Sequence, residues 1–81
     1  MKILKFSASW CAPCQMLSKV IASIETSIPF EEIDIDENQQ YAQQFGIHGV
    51  PTLIMVDADS KEIKRVSGMM SIPDLKHWLG E

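Results

Sequence analysis

Apolar and polar positions along the chain repeat with two different periods. The run Lys2-Ile3-Leu4-Lys5-Phe6-Ser7 reads as a short strand, whereas Leu17, Val20, Ile21, Ile24 and Ile28 recur at helical intervals and predict a helix over about residues 11–26, with Pro29 closing the connection. Residues 30–35 form a second strand. Its apolar positions Phe30, Ile33 and Ile35 differ in parity, which suits a strand covered on both faces. Asp36, with Gln39 three positions on, has the spacing of a capping box, and Tyr41, Ala42 and Phe45 give the helix it opens an inward stripe that Gly46 ends. A continuous apolar strand follows over residues 52–56, then a hairpin turn over 57–61. Residues 62–67 return antiparallel, with Lys64 and Arg65 as the charges that guard an edge strand. Ser71 and Pro73 open a last helix whose stripe is Ile72, Leu75, Trp78 and Leu79.

These elements, in the order βαβαββα, belong to the α/β class. The first two strands, joined through a helix, are expected to run parallel. No linker, repeat or low-complexity segment interrupts the pattern, so residues 1–81 are expected to form a single domain. At 46% hydrophobic residues the chain can fill a core. A net charge of −4 with 7 Lys and Arg leaves no electrostatic footprint for nucleic acid or anionic lipid, which points to a protein or small-thiol partner. No long apolar segment precedes Cys11, so neither a signal peptide nor a membrane span is expected.

Cys11 and Cys14 are the only cysteines, so an intrachain disulfide must join them. Such a ring is too short to constrain the unfolded chain, and the pair is better explained by chemistry than by stability. Placed on the first turn of the predicted helix, Cys11 faces unpaired N–H groups and the positive end of the helix dipole, which favour a thiolate over a thiol. Cys14, one turn later, is expected on a more buried side, and Pro13 suits the first turn and stiffens it. Metal binding is not expected. A zinc site needs further ligands, and only His48 and His77 remain, far along the chain. Gln15 directly after the second cysteine excludes haem attachment. Two cysteines without a leader suit a reducing, cytoplasmic setting and a catalytic disulfide.

Trp10-Cys11-Ala12-Pro13-Cys14 after a short strand, Gly49-Val50-Pro51-Thr52 before an apolar strand and Gly68 before the last helix resemble, in this order, the thioredoxin family. The likeness covers nearly the whole chain, as a short, minimal form that begins without the extra strand and helix many members carry first. It implies a four-stranded mixed sheet of order 2-1-3-4 with helices on both faces. It also implies a thiol-disulfide oxidoreductase that reduces protein disulfides through a Cys11/Cys14 dithiol and a mixed disulfide. No bound cofactor is expected, and the protein is expected to be a monomer. Its electron donor by this likeness is an NADPH-dependent flavoprotein thioredoxin reductase. The alternatives are a glutaredoxin-like, glutathione-linked reductase and a non-catalytic adaptor of the same fold.

The likeness further implies a cis bond before Pro51, whose ring packs on the dithiol, and an apolar substrate rim. Trp10, Ala12, Pro13, Gly49, Val50, Pro51, Gly68 and Met69 are the residues expected to make that rim. Met69 fits simple loop packing as well as a place on the rim. His48 is expected to be a solvated loop residue. Two departures concern tuning of the site. Ala12 stands where thioredoxins usually have glycine, and Lys5 stands where they bury an aspartate beneath the dithiol. Glu32 falls where some relatives carry the lysine that partners that aspartate, so the pair is expected with its charges exchanged. Lys5 then either snorkels to solvent, keeps its ammonium near Cys14 and favours the thiolate, or loses its charge so that it or Glu32 acts as the base for Cys14.

Overall fold

The computed structural model describes residues 1–80. In chain order its elements are β1 Lys2–Ser7, α1 Ala12–Ala22, β2 Phe30–Asp34, α2 Gln39–Gln44, β3 Thr52–Val56, β4 Glu62–Ser67 and α3 Ile72–Leu79. The strands form one sheet in the order β2-β1-β3-β4. β1 pairs parallel with β2 and antiparallel with β3, and β4 returns antiparallel along β3. This is the mixed, thioredoxin-like sheet that the element pattern and the resemblance led to.

Alternation along the central strand divides the core in two, because successive side chains leave a strand on opposite faces. Ile3 packs with Leu17 of α1 and with Leu75 and Leu79 of α3. Leu4 and Phe6 turn the other way, onto Tyr41 and Ala42 of α2 and Phe45 at its C-cap. There Phe6 meets the rings of Tyr41 and Phe45, each at a centroid distance of 5.8 Å. Each fully buried side chain of this size contributes roughly 1.5–3 kcal/mol. Phe30 and Ile33 of β2 pack against different clusters, as their parity requires.

The cations of β4 do more than guard an edge. Lys64 lies 5.1 Å from the centre of the Trp78 ring and its ammonium donates to the Trp78 carbonyl, near the end of α3. Arg65 donates through Nη2 to the Phe45 carbonyl at 2.7 Å, at the end of α2, and pairs with Glu62 at 2.6 Å. Each places positive charge at the negative end of a helix, one on either face of the sheet.

Four details differ from the expected pattern. α1 ends at Ala22, short of residue 26, because the Ser23 hydroxyl and backbone N–H both donate to the Val20 carbonyl, at 2.7 and 3.1 Å, and tighten the last turn. Ile24 and Ile28 still pack on the core from beyond the helix. β2 ends at Asp34, although the Ile35 N–H continues the pairing by donating to the Ser7 carbonyl at 2.9 Å. Asp36 does not cap α2, whose N-cap is Asn38 without a side-chain bond. Ile72 is 40% exposed, so α3 buries only Leu75 and Leu79 fully. The rest of α3 follows the sequence, with the Ser71 hydroxyl accepting the Asp74 N–H at 3.2 Å.

Candidate active site

β1 delivers the chain to the end of the sheet, and a short turn after Ser7 starts α1 at Cys11. Cys11 is the N-cap of that helix, with extended backbone, and its Sγ accepts the Cys14 backbone N–H at 3.2 Å. A sulfur thus fills the place where a capping oxygen normally satisfies an orphan amide. Pro13 in the first turn needs no such partner. Cys11 and Cys14 are joined in a disulfide, with Cα atoms 5.3 Å apart, and pack with Ala8 and the half-buried Ile35 and Val50.

The expected contrast in burial between the two sulfurs is almost absent in this oxidised form. Cys11 is 4% exposed and Cys14 2%. What separates them is position in the helix: Cys11 sits outside the first turn and receives its amide, while Cys14 lies within it.

Around the dithiol the structure brings three segments together. Trp10 is 67% exposed, and its Nε1 donates to Asp36 Oδ2 at 2.9 Å. Ala12 and Pro13 face solvent beside it. Opposite, the Val50–Pro51 peptide bond is cis, Pro51 is buried and Val50 packs against the cluster of Ala8, Cys11 and Cys14. The Gly49 carbonyl accepts the Thr52 hydroxyl at 2.8 Å, and the Gly68 N–H donates to the Pro51 carbonyl at 2.9 Å. Gly68 makes that approach at φ +92°, a conformation other residues rarely adopt. Met69 behind it is 44% exposed, whereas Met70 turns into the core. His48 is exposed.

Beneath Cys14 lies a polar cleft. Lys5 and Glu32, paired across β1 and β2, line it together with Ser7, Ser18 and Cys14. The Lys5 ammonium donates to Glu32 Oε1 at 2.9 Å and to the Ser18 hydroxyl, which in turn donates to the Cys14 carbonyl at 3.1 Å. The Ser7 hydroxyl donates to the same Glu32 oxygen at 3.1 Å. Lys5 does not snorkel to solvent, since its side chain is only 5% exposed. The hydrogen bond from Lys5 holds the Glu32 carboxyl below its ordinary range, helped by the lysine charge and Ser7 and opposed by partial burial. A carboxylate held low is a poor acceptor for a thiol proton, which weighs against Glu32 as a base.

The structure adds Ser7, Ser18 and Asp36 to the site. Ser7 shares strand parity with Lys5, and Ser18 follows Cys14 by one helical turn, so both had a positional signal. Among the described residues no cluster of three or more His, Cys, Asp or Glu is placed to hold a metal ion, and no helix is long and apolar enough to cross a membrane.

A family model described as thioredoxin matches residues 1–81. The chain belongs to the thioredoxin family. It is 39% identical over 70 residues to a thioredoxin of Chlamydia caviae, covering 83% of this chain and 68% of that one. Thioredoxin H-type 1 of Nicotiana tabacum is 32% identical, over 82% of this chain and 54% of its own. Among solved structures, thioredoxin 1 of Thermosipho africanus superposes with a TM-score of 0.82 at 33% identity, over 99% of this chain and 91% of that one. A mutant thioredoxin from Halobacterium salinarum gives a TM-score of 0.84 at 38% identity, over 94% and 68% of the two chains. With Cys11 and Cys14 at Cys-x-x-Cys spacing and joined in a disulfide, the protein is a thioredoxin-type disulfide oxidoreductase. Thioredoxin membership carries with it protein disulfides as substrates and a thioredoxin reductase as the general kind of donor.

Proposed function

We propose that Cys11 is the attacking thiolate and Cys14 the resolving thiol of a cytoplasmic, monomeric, single-domain protein-disulfide reductase over residues 1–81. The observation that carries this reading is the Cys14 N–H donated to Cys11 Sγ at the start of α1. That amide and the helix dipole favour negative charge on Cys11 and leave Cys14 without the same help.

The Cys11 thiolate attacks one sulfur of a substrate disulfide, forming a mixed disulfide and releasing the other substrate sulfur as a thiolate that takes a proton from water. Cys14 then gives up its proton, attacks Cys11 Sγ and expels the second substrate sulfur. The substrate leaves as a dithiol, reduced by two electrons, and Cys11–Cys14 is left oxidised. Trp10, Ala12, Pro13, Gly49, Val50, Pro51, Gly68 and Met69 form the surface on which the substrate segment rests. The exposure of Trp10 and Met69 beside a tethered Pro51 and Gly68 supports that assignment.

Electrons return from an NADPH-dependent flavoprotein thioredoxin reductase. The test is reduction of a disulfide-bonded protein in three parallel reactions, with thioredoxin reductase and NADPH, with glutathione, glutathione reductase and NADPH, or with no donor. Turnover in the first reaction is expected. Turnover in the second alone would assign the protein to glutathione-linked chemistry, and turnover in neither would make it an adaptor.

A further inference from the structure

We propose that the buried ammonium of Lys5 is a positioning group for Cys14 that favours its thiolate across the cleft they share, so that resolution needs no carboxylate base. This rests on the dithiol reading above.

Two observations support it. The first is the asymmetry of the ion pair. Lys5 is 5% exposed and Glu32 66%, so solvent screens the carboxylate far more than the ammonium. A pair that is formally neutral therefore leaves positive potential on its inner side, toward α1. The second is the link to the helix: Lys5 donates to Ser18, and Ser18 donates to the Cys14 carbonyl at 3.1 Å, which ties the ammonium to the turn that carries Cys14. Other charges at the cleft are Asp34 and Glu37, carboxylates from β2 and the segment after it. Glu37 is solvent-exposed, and an Asp34 carboxylate oxygen takes the Asp36 N–H at 2.8 Å, so neither replaces Glu32 as the partner of Lys5. From α1 the cleft receives only the uncharged Gln15 and Ser18 beside Cys14.

In the resolving step the Cys14 proton passes to water in the cleft. The Cys14 sulfur then bonds to Cys11 Sγ while the bond from Cys11 to the substrate sulfur breaks, and that sulfur departs with the electron pair and takes up a proton. An ammonium lining the same cleft as Cys14 lowers the cost of the thiolate that begins this step, and it stabilises the reduced state of the couple. Glu32 partly cancels the field. Removing either charge should therefore move the couple in opposite directions.

The test equilibrates the full chain with oxidised and reduced dithiothreitol, for wild type and for Lys5→Met, Lys5→Arg and Glu32→Gln. Lys5→Met is expected to shift the equilibrium about tenfold toward the disulfide, equivalent to ~30 mV for a two-electron couple, and to move the thiol titration to higher pH. Lys5→Arg should keep most of the wild-type position. Glu32→Gln, whose amide oxygen still offers an acceptor to Lys5, should shift the equilibrium the other way by a smaller factor. Unchanged equilibria, or shifts of the same sign in Lys5→Met and Glu32→Gln, would overturn the proposal, because a purely structural ion pair changes stability and not potential. A wild-type chain without any reversible dithiol–disulfide couple would instead overturn the dithiol reading itself.

Discussion

The indole Nε1 of Trp10 donates to Asp36 Oδ2 at 2.9 Å, tying the exposed ring beside the dithiol to the turn that follows β2. Asp36 therefore serves the rim of the site and not the start of α2, which has no side-chain cap. Asp36→Ala is expected to free the ring and to cost about 0.5–1.5 kcal/mol of stability. In a Trp78→Phe background, Trp10 fluorescence anisotropy should fall while helical circular dichroism is unchanged. Loss of helical signal with unaltered Trp10 anisotropy would contradict the assignment.

Glu32 links stability to pH with a definite sign. Its carboxyl is depressed in the folded protein, first by the hydrogen bond from Lys5, so its contribution is fully present above the unfolded value of 4.5 and is lost as pH falls through the lower folded value. Because the side chain is largely exposed, the effect is held to below ~1 kcal/mol. Denaturant unfolding at pH 7 and pH 3 should show wild type losing more stability than Glu32→Gln over that interval. Equal losses would mean that the pair does not persist in solution.

Leu17 is fully buried between α1, the sheet and α3. Leu17→Ala is expected to cost about 2–5 kcal/mol, a large part of the roughly 5–15 kcal/mol that holds a domain folded. Unfolding in urea measures it. A loss well under 1 kcal/mol would mean that this interface is loosely packed.

Much of this was readable from residue order, for identifiable reasons. β3 announced itself through a continuous apolar run, because a strand covered on both faces has no polar side to show. The dithiol was carried by Cys11 and Cys14 at the start of a helical period. Details set by hydrogen bonds between distant residues were not readable. Nothing in sequence distinguishes an Asp36 that caps a helix from one that accepts an indole proton from Trp10, 26 residues away. The early end of α1 depends on Ser23 taking the Val20 carbonyl twice, a local competition that helical periodicity does not register. The pairing of Lys5 with Glu32 was implied by the resemblance alone, and the depth of Lys5 and its hold on Ser18 required the packed helix.

The central claim is that Cys11 attacks and Cys14 resolves, and trapping measures it most directly. A Cys14→Ser variant, mixed with a disulfide-bonded substrate protein, is expected to accumulate a mixed disulfide that peptide mapping by mass spectrometry places on Cys11. Cys11→Ser should trap little or nothing under the same conditions. A covalent complex that forms readily through Cys14 in Cys11→Ser, with none through Cys11 in Cys14→Ser, would contradict the assignment.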